Sequence, residues 1–582
     1  MLDDFIHQPR VAYFSMEIAL RNEIPTYAGG LGILAGDTLR SAADLGLPIV
    51  AVSLVSRLGY FRQELDDLGR QVEHSEPWNP ASGAELLDAK IAVTLDQRRV
   101  WIGAWLYVMT GETGIREPVL LLDTDLPEND SVDREITHLL YGGDARYRLK
   151  QEIVLGIGGV RILQALGFNV RQYHLNEGHS AFLTLELLRT HGYAPEDLRL
   201  GESPYDVPRV REICCFTTHT PVDAGHDRFP YALVEQVSGG AVPGPATDQV
   251  PRSGIGPFID LTIVKHLAGD EMLNMTRLAL NLSEYVNGVA RRHADISERM
   301  YPGYRVHAIT NGVHPSTWTS EGFARLYDRY VPGWRHEPDL LTRADCSIPD
   351  EAIWPAHMQA KQRLISVTKE LTGMELDPGL PILGFARRMT AYKRPDLMFS
   401  DTQRLRDIAR NQPLQIVLAG KAHPQDAAGK ALIEQLGAQA RLLRGAVKIV
   451  YLANYDMRLA QCLTAGADVW INTPLAPLEA SGTSGMKAAF NGVPSLSILD
   501  GWWIEGCVEG VTGWAIGGTD EGSADAAALY DKLEQVVLPL YFRSAGSSGG
   551  WVTLMKGAIS KNASYFNSHR MMRRYGTEAY VR

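Results

Sequence analysis

Two short runs in this sequence concentrate groups able to handle anions. In Arg387-Arg388-Met389-Thr390-Ala391-Tyr392-Lys393-Arg394, four cations fall within eight residues, directly after the apolar run Pro381–Ala386 and before Pro395. Like charges this close repel unless anions neutralise them. Two phosphate-sized anions suit the set, because arginine offers paired hydrogen bonds and lysine a point charge. An exposed basic loop is the alternative. The second run, Glu479-Ala-Ser-Gly-Thr-Ser-Gly-Met-Lys487, is a small-residue loop opening a helix over Met486–Phe490. Its small residues expose consecutive N–H groups that can hold sugar hydroxyls or a phosphate. Lys487 either snorkels to solvent or forms a Schiff base with an aldehyde cofactor.

Two further groups are weaker alone. Gly29-Gly30-Leu31-Gly32 lies between an apolar run, Val11–Ser15, and a helical pattern starting near Leu34. Backbone N–H groups there can reach an anion at a helix N-terminus, although a tight turn explains the glycines equally well. The histidines His174 and His179, and His219 and His226, form the other group. A separation of five does not give the paired ligands of a helical zinc site, and no cysteine pair completes one. For His219, which follows an expected strand, a sugar hydroxyl or backbone carbonyl is the better partner.

The elements that would position these groups alternate along the chain. Val11–Ser15, Ile49–Val55, Ile213–Thr217, Pro381–Ala386, Leu414–Ala419, Val447–Leu452, Val469–Asn472 and Leu496–Leu499 are predicted buried strands. Leu34–Leu45, Asp396–Ile408, Ala427–Leu436, Asp456–Ala465 and Ala524–Val537 are predicted helices between them. Such alternation predicts an α/β protein with parallel sheets and functional groups at the strands' carboxyl ends. The pattern restarts near Pro381 after a mixed region from 290 to 380, which divides the chain into two α/β halves. Ser238–Pro257, with five glycines and four prolines, reads as a long loop, either plain surface or a lid. Arg543–Gly550 is flexible by composition. No fixed-period repeat is visible.

Composition narrows the function. With 582 residues, 45% of them hydrophobic and 21% charged, the chain can bury large cores. A net charge of −11 gives no general attraction to a polyanion, so nucleic acid is not an expected partner. Five cysteines without a C-x-x-C pair fit neither a disulfide framework nor a zinc knuckle and point to a reducing, cytoplasmic setting. The acidic start lacks a signal peptide's basic region, and runs such as Leu45–Val55 are too short to span a membrane.

Nine motifs then resemble, in order, those of the α-glucan (glycogen, starch or maltodextrin) phosphorylases. They are Tyr13-Phe-Ser-Met-Glu17, Gly29-Gly-Leu-Gly32, Leu175-Asn-Glu-Gly-His179, Thr217-Thr-His219-Thr, Val286-Asn-Gly-Val-Ala290, Thr310-Asn-Gly312, Arg388-x4-Lys393-Arg394, Gly420-Lys-Ala422 and Glu479-Ala-Ser-Gly-Thr-x-x-Met-Lys487. The resemblance implies a glycosyltransferase-B architecture, two Rossmann-like domains with the active site in the cleft between them. The expected division is an N-terminal glucan-binding domain over 1–290, a cofactor-binding domain over 291–560, and a C-terminal segment, 561–582, packing back on the first. It implies retaining phosphorolysis of α-1,4-glucan by inorganic phosphate, releasing α-glucose 1-phosphate, with pyridoxal 5′-phosphate on Lys487 and no metal.

By position, Lys487, Arg388, Lys393 and His219 would carry catalysis. Gly30, Thr483, Arg387 and Lys393 would hold the cofactor phosphate, with Tyr455 against the cofactor. Arg388, Lys393 and the Gly29-Gly30 backbone would hold substrate phosphate. Glu479, Ser481, Gly482, His219 and Asn287 would grip the glucosyl unit, and Glu17, Leu31, His179 and Ala480 would add substrate contacts. A homodimer is a family expectation. Ala28, Arg387, Thr390 and Ser484-Gly485 depart from the residues common in the long enzymes, and the Thr-Ser-Gly-Met-Lys form resembles the short bacterial branch. An amino-terminal phosphorylation or effector switch of the animal kind is not expected. A nucleotide-sugar glycosyltransferase of similar architecture is the main rival, but has no use for a Schiff-base lysine at this loop. A glucan-binding protein without catalysis and an aminotransferase-type enzyme fit less well.

Overall fold

The computed structural model of the protein describes residues 2–193, 196, 198, 203–222, 225–238, 261–517, 522–546 and 549–581. Most of the glycine- and proline-rich stretch expected as a loop, residues 239–257, lies outside them.

Two largely parallel sheets organise the chain. The first, ten-stranded, is built from β1 (Arg10–Ser15), β2 (Ile49–Leu54), β3 (Glu85–Leu86), β4 (Ile91–Leu95), β5 (Arg98–Thr110), β6 (Arg116–Asp123), β7 (Val170–Asn176), β8 (Cys214–Thr217), β9 (Tyr285–Gly288) and β10 (His307–Ala308). Its order is β10-β9-β8-β7-β1-β2-β6-β5-β3, with β4 also on β5. Pairing is parallel from β10 to β6 and antiparallel beyond it. The second, six-stranded, comprises β11 (Ile382–Ala386), β12 (Gln415–Ala419), β13 (Lys448–Leu452), β14 (Val469–Asn472), β15 (Ser495–Ile498) and β16 (Gly513–Ile516). It is parallel throughout, in the order β13-β12-β11-β14-β15-β16.

In the parallel part of each sheet the order reverses once, between β1 and β7 and between β11 and β14. In a doubly wound sheet, that reversal opens a crevice at the strands' carboxyl ends. The sequence chemistry explains the sheets' burial. β2, Ile-Val-Ala-Val-Ser-Leu, is buried along its whole length, as a strand covered on both faces must be. Alternate residues feed separate layers: Phe14, Val52, Leu120 and Leu122 enter one core cluster, and Tyr13, Ala51, Val119 and Leu121 another. Each such Val, Leu or Phe contributes about 1.5–3 kcal/mol by leaving water.

Helices follow the strands. α1 (Gly30–Leu45) starts at the glycine loop and ends at Gly46, whose φ of +67° lets its N–H reach back to the Ala42 and Ala43 carbonyls. α2 (Ala145–Ile153), α3 (Met457–Gly466), α4 (Ser484–Ala489) and α5 (Ser568–Tyr575) also bear on the site. Among the described residues no helix is long and apolar enough to cross a membrane.

Three expectations are corrected. The helix predicted over Asp396–Ile408 is two pieces, a 3-10 turn at Leu397–Phe399 and a helix at Thr402–Asn411, because the Asp401 side chain accepts from the Arg404 N–H and starts a new helix. The first sheet continues past residue 290 to His307–Ala308. Arg543 and Ser544 close the Leu538–Ser544 helix and are not linker.

Candidate functional site

The groups read from sequence lie at or near strand carboxyl ends, those of β1, β7, β11 and β14 flanking the two reversals. Glu17 follows β1, His179 follows β7, His219 follows β8 and Asn287 lies in β9. Arg387 follows β11, and the Glu479–Lys487 loop follows β14. Direct contacts join the layers: the Gln63 N–H donates to Asn454 Oδ1 (3.0 Å) and the Asn454 N–H to Gln63 Oε1 (2.9 Å). Tyr27 Oη accepts from the Met457 N–H at the start of α3 (3.0 Å).

The cation cluster is partly neutralised from within. Arg387 Nη2 and Lys393 Nζ each donate to Glu479 Oε2 at 2.6 Å. Burial pushes the Glu479 carboxyl up, but Arg387 and Lys393 outweigh it and hold the group below its ordinary range. Burial, then the Arg387 charge, brings Lys393 down to about 8 against the pull of Glu479. Three charges from two loops, two positive and one negative, therefore leave net positive potential. The Arg387 Nε and Nη1 atoms are buried with no partner among the described residues, which is costly unless an anion is bound there. Arg388 is exposed at the same strand end, and its field reaches Glu17, Tyr60 and His423. Arg394, the fourth cation, turns away to the Thr473 and Pro474 carbonyls and Asp525.

The Glu479–Lys487 loop is fixed at its base. Asp500, beyond β15, accepts from the Glu479 and Gly501 N–H groups, and the Ser481 carbonyl accepts from the Trp502 N–H. Gly482 sits at φ +74°, where a side chain would be strained. Ser481 Oγ is buried without a partner among the described residues, an orphan suited to a ligand hydroxyl or phosphate. Thr483 precedes α4, and its carbonyl accepts from the Lys487 N–H. Ala480 is half-buried between Glu479 and Ser481.

Lys487 is 6% exposed, and its Nζ stands 3.9 Å from the centre of the Trp318 ring. No ion pair within 4 Å holds the amine among the described residues. Burial lowers it to about 8, with Asp37 pulling the other way; Asp37 itself accepts from Trp318 Nε1 (2.8 Å). A lysine so placed is an ammonium below that value and a nucleophilic amine above it. Uptake of an aldehyde reagent by Lys487 in cofactor-free protein should therefore rise with pH to half its plateau near pH 8. Peptide mapping of the labelled protein reads this, and a midpoint near the ordinary 10.5 would contradict it.

At the start of α1, Gly29 and Gly30 have nothing among the described residues within 4 Å of where a Cβ would stand. Their lack of side chains keeps space open at the start of α1, with Leu31 half-buried beside them. His219 is kept neutral: burial first, then His293, His174 and His179, lower it to about 3. Its Nε2–H donates to Asn176 Oδ1 (2.7 Å), leaving Nδ1 as the acceptor. Asn287 is occupied internally. Its Oδ1 accepts from Thr217 Oγ1 (2.9 Å), and its Nδ2 donates to Tyr575 Oη (3.0 Å) and the Gly288 carbonyl (3.1 Å). Tyr455 is packed against two core clusters, its hydroxyl raised by burial. Sequence reasoning assigned no role to Asn311, whose Oδ1 is buried and unpartnered beside the end of β9, nor to Trp318 or Tyr141. The Thr310-Asn-Gly312 motif was the available signal for Asn311; the other two have none.

These features set a buried lysine and a partly neutralised cation cluster on two loops at the carboxyl ends of β11 and β14. The sequence profile of the carbohydrate phosphorylases matches residues 169–512. Over 98% of its length the chain is 39% identical to a maltodextrin phosphorylase of Thermococcus litoralis, spanning 70% of that protein. It is 36% identical to a glycogen phosphorylase of Aquifex aeolicus, again over 98% of this chain and 86% of the relative. An uncharacterized protein of Methanocaldococcus jannaschii is 30% identical, with 98% of this chain and 99% of that one aligned. The chain belongs to the carbohydrate phosphorylase family and is an enzyme of the glycosyltransferase class.

Proposed function

We propose that this enzyme releases α-glucose 1-phosphate from the non-reducing end of α-1,4-glucan by phosphorolysis with retention, with pyridoxal 5′-phosphate carried on Lys487. The observation that carries it is the buried Lys487 amine, without an ion pair among the described residues, on the same loop as the Glu479 carboxylate that joins Arg387 and Lys393. The names of the maltodextrin and glycogen relatives support the substrate class. The two doubly wound sheets support a glycosyltransferase-B arrangement with the site in the cleft. In it the first domain extends from residue 1 past 290 to the end of β10, the second runs on to about 560, and 561–582 returns to the first. Tyr580 and Tyr575 of that last segment meet His174 and Thr217. A cytoplasmic homodimer without nucleic-acid or membrane partners completes the reading.

The residues present fit the cofactor. Lys487 offers an amine that is part-neutral near pH 8, Arg387 offers two unpartnered donors, and Gly29 and Gly30 leave room. Gly30 N–H, Thr483, Arg387 and Lys393 would hold its phosphate, with Tyr455 beside it. When bound, the cofactor supplies a phosphate monoester of pKa near ~6, able to exchange a proton with a second phosphate at neutral pH.

Arg388, Lys393 and the Gly30-Leu31 backbone bind inorganic phosphate and neutralise its charge next to the glycosidic bond; the Gly29 N–H expected to join them is held by Glu17. Glu479, Ser481 and Gly482 orient the glucosyl unit, and His219 Nδ1 accepts from one of its hydroxyls. Asn287 acts from below through Thr217, while Asn311 has the free acceptor that Asn287 lacks. Inorganic phosphate gives its proton to the glycosidic oxygen, the C1–O bond breaks, and a phosphate oxygen bonds to the oxocarbenium-like carbon from the same face. The products are α-glucose 1-phosphate and a glucan one unit shorter. A paired-carboxylate hydrolase would use water instead. The test is maltodextrin incubated with enzyme and inorganic phosphate, followed by NMR. Phosphate-dependent α-glucose 1-phosphate is expected; free glucose, the β-anomer or no product would overturn the proposal.

A further inference from the structure

Glu17 lies in a segment whose family resemblance implies a substrate contact, yet it is 3% exposed and both its oxygens are taken. Oε2 accepts from the Ala28 N–H (2.6 Å) and the Gly29 N–H (3.1 Å), and Oε1 accepts from Tyr141 Oη (3.0 Å). A Cβ on Gly32 would stand 2.6 Å from Glu17 Oε2, so the carboxylate is seated against the loop's last glycine. Two N–H groups at the head of the loop are thereby turned inward. Those of Gly30 and Leu31, in the first turn of α1, have no acceptor within the helix and remain for an anion.

Tyr141 is itself held hard. Its φ of +55° is a backbone state that L-residues adopt at a cost, so its surroundings must fix it. Arg148 of α2 lies with Cζ 4.4 Å from the centre of the Tyr141 ring. Arg148 in turn bonds Glu152 Oε1 and Asp227 Oδ2, each at 3.0 Å. His179 meets the Tyr141 ring edge-on at 5.8 Å and brings Nε2 to 3.4 Å from Asp227. A continuous chain of buried and half-buried hydrogen bonds and ring contacts thus runs from α2 and the end of β7 to the glycine loop.

We propose that Glu17 and Tyr141 are positioning residues, a tether that sets the shape of the glycine loop and so the enzyme's affinity for inorganic phosphate. The inference rests on the reading above, in which that loop binds phosphate. Electrostatics separates it from a charge-based role. A carboxylate beneath an anion site repels the anion, so its value there lies in geometry, which the isosteric amide can keep. In Glu17→Gln the amide oxygen would accept from the same two N–H groups, and the amide nitrogen would donate to Tyr141 Oη.

The test is initial-rate kinetics with phosphate and maltodextrin varied separately. Tyr141→Phe should raise the KM for phosphate about tenfold, the loss of one hydrogen bond to a charged group, and leave the KM for maltodextrin within about twofold. Glu17→Ala should do the same or more, while Glu17→Gln should hold the phosphate KM at or below that of the wild type. A raised maltodextrin KM with unchanged phosphate KM in Tyr141→Phe would overturn the proposal in favour of direct glucan contact. So would a Glu17→Gln enzyme as impaired towards phosphate as Glu17→Ala. These outcomes presuppose an active wild type. A wild type that forms no glucose 1-phosphate would instead remove the functional reading, and the tether's role with it.

Discussion

Replacing Lys487 with alanine is expected to lower phosphorolysis by ~10³-fold or more while leaving the protein folded, the scale associated with deleting a group the chemistry requires. The contrast with a second buried lysine explains both halves of the expectation. Lys361 donates to the Leu380 carbonyl (2.7 Å) and Tyr541 Oη (3.0 Å) and pairs with Asp468 (2.8 Å). Its bonds all lie inside the protein, so it is structural. Lys487 has Trp318 under its amine but no ion pair among the described residues, and burial drags it down to about 8. A desolvated, unpaired amine contributes little to folding, so truncation offsets lost packing against a relieved burial cost. The variant should purify without bound pyridoxal phosphate and melt within a few degrees of cofactor-free wild type. Full activity of Lys487→Ala without added cofactor would defeat the reading.

Arg388→Ala should produce a different defect. Its guanidinium is exposed at the end of β11, where Arg387 and Lys393 are already engaged by Glu479. It is thus the cation most available to a second anion. Losing hydrogen bonds to a charged ligand costs about 1.5–3 kcal/mol, which is about 10- to 150-fold in affinity. The KM for phosphate should rise by that factor, with the cofactor retained because Arg387, Lys393 and Lys487 are untouched. Loss of the cofactor together with phosphate affinity would show that the two anions share Arg388 equally. An unchanged phosphate KM would remove it from the site.

Much of the framework was legible because its signals are local. Short apolar runs such as Ile49–Val52 and Ile416–Ala419 are what two-sided burial demands, and the eight predicted strands all occur. β7 was missed because Val-Arg-Gln-Tyr-His-Leu-Asn mixes polar residues into a strand buried only over its last four, where His174 bonds inward to Thr217 and Tyr580. The shared order of the two sheets was invisible, since it arises from pairings between distant segments and not from any repeat. The same division holds in the site. The cation run, the glycine loop and Lys487 stand out in a few consecutive residues. Glu479 joining Arg387 and Lys393, Trp318 under Lys487, and Tyr141 on Glu17 connect residues 86 to 169 positions apart, and left no trace in spacing. Asn287 shows the hazard of position alone: the motif is present, but its amide is spent on Thr217 and Tyr575.

The most direct measurement is an absorbance spectrum of the purified enzyme before and after borohydride, followed by mass analysis of the peptide carrying Lys487. A pyridoxyl phosphate adduct on Lys487, and on no other lysine, is the expected result. Well-folded, active enzyme with Lys487 unmodified would contradict the central claim that this buried amine carries the cofactor.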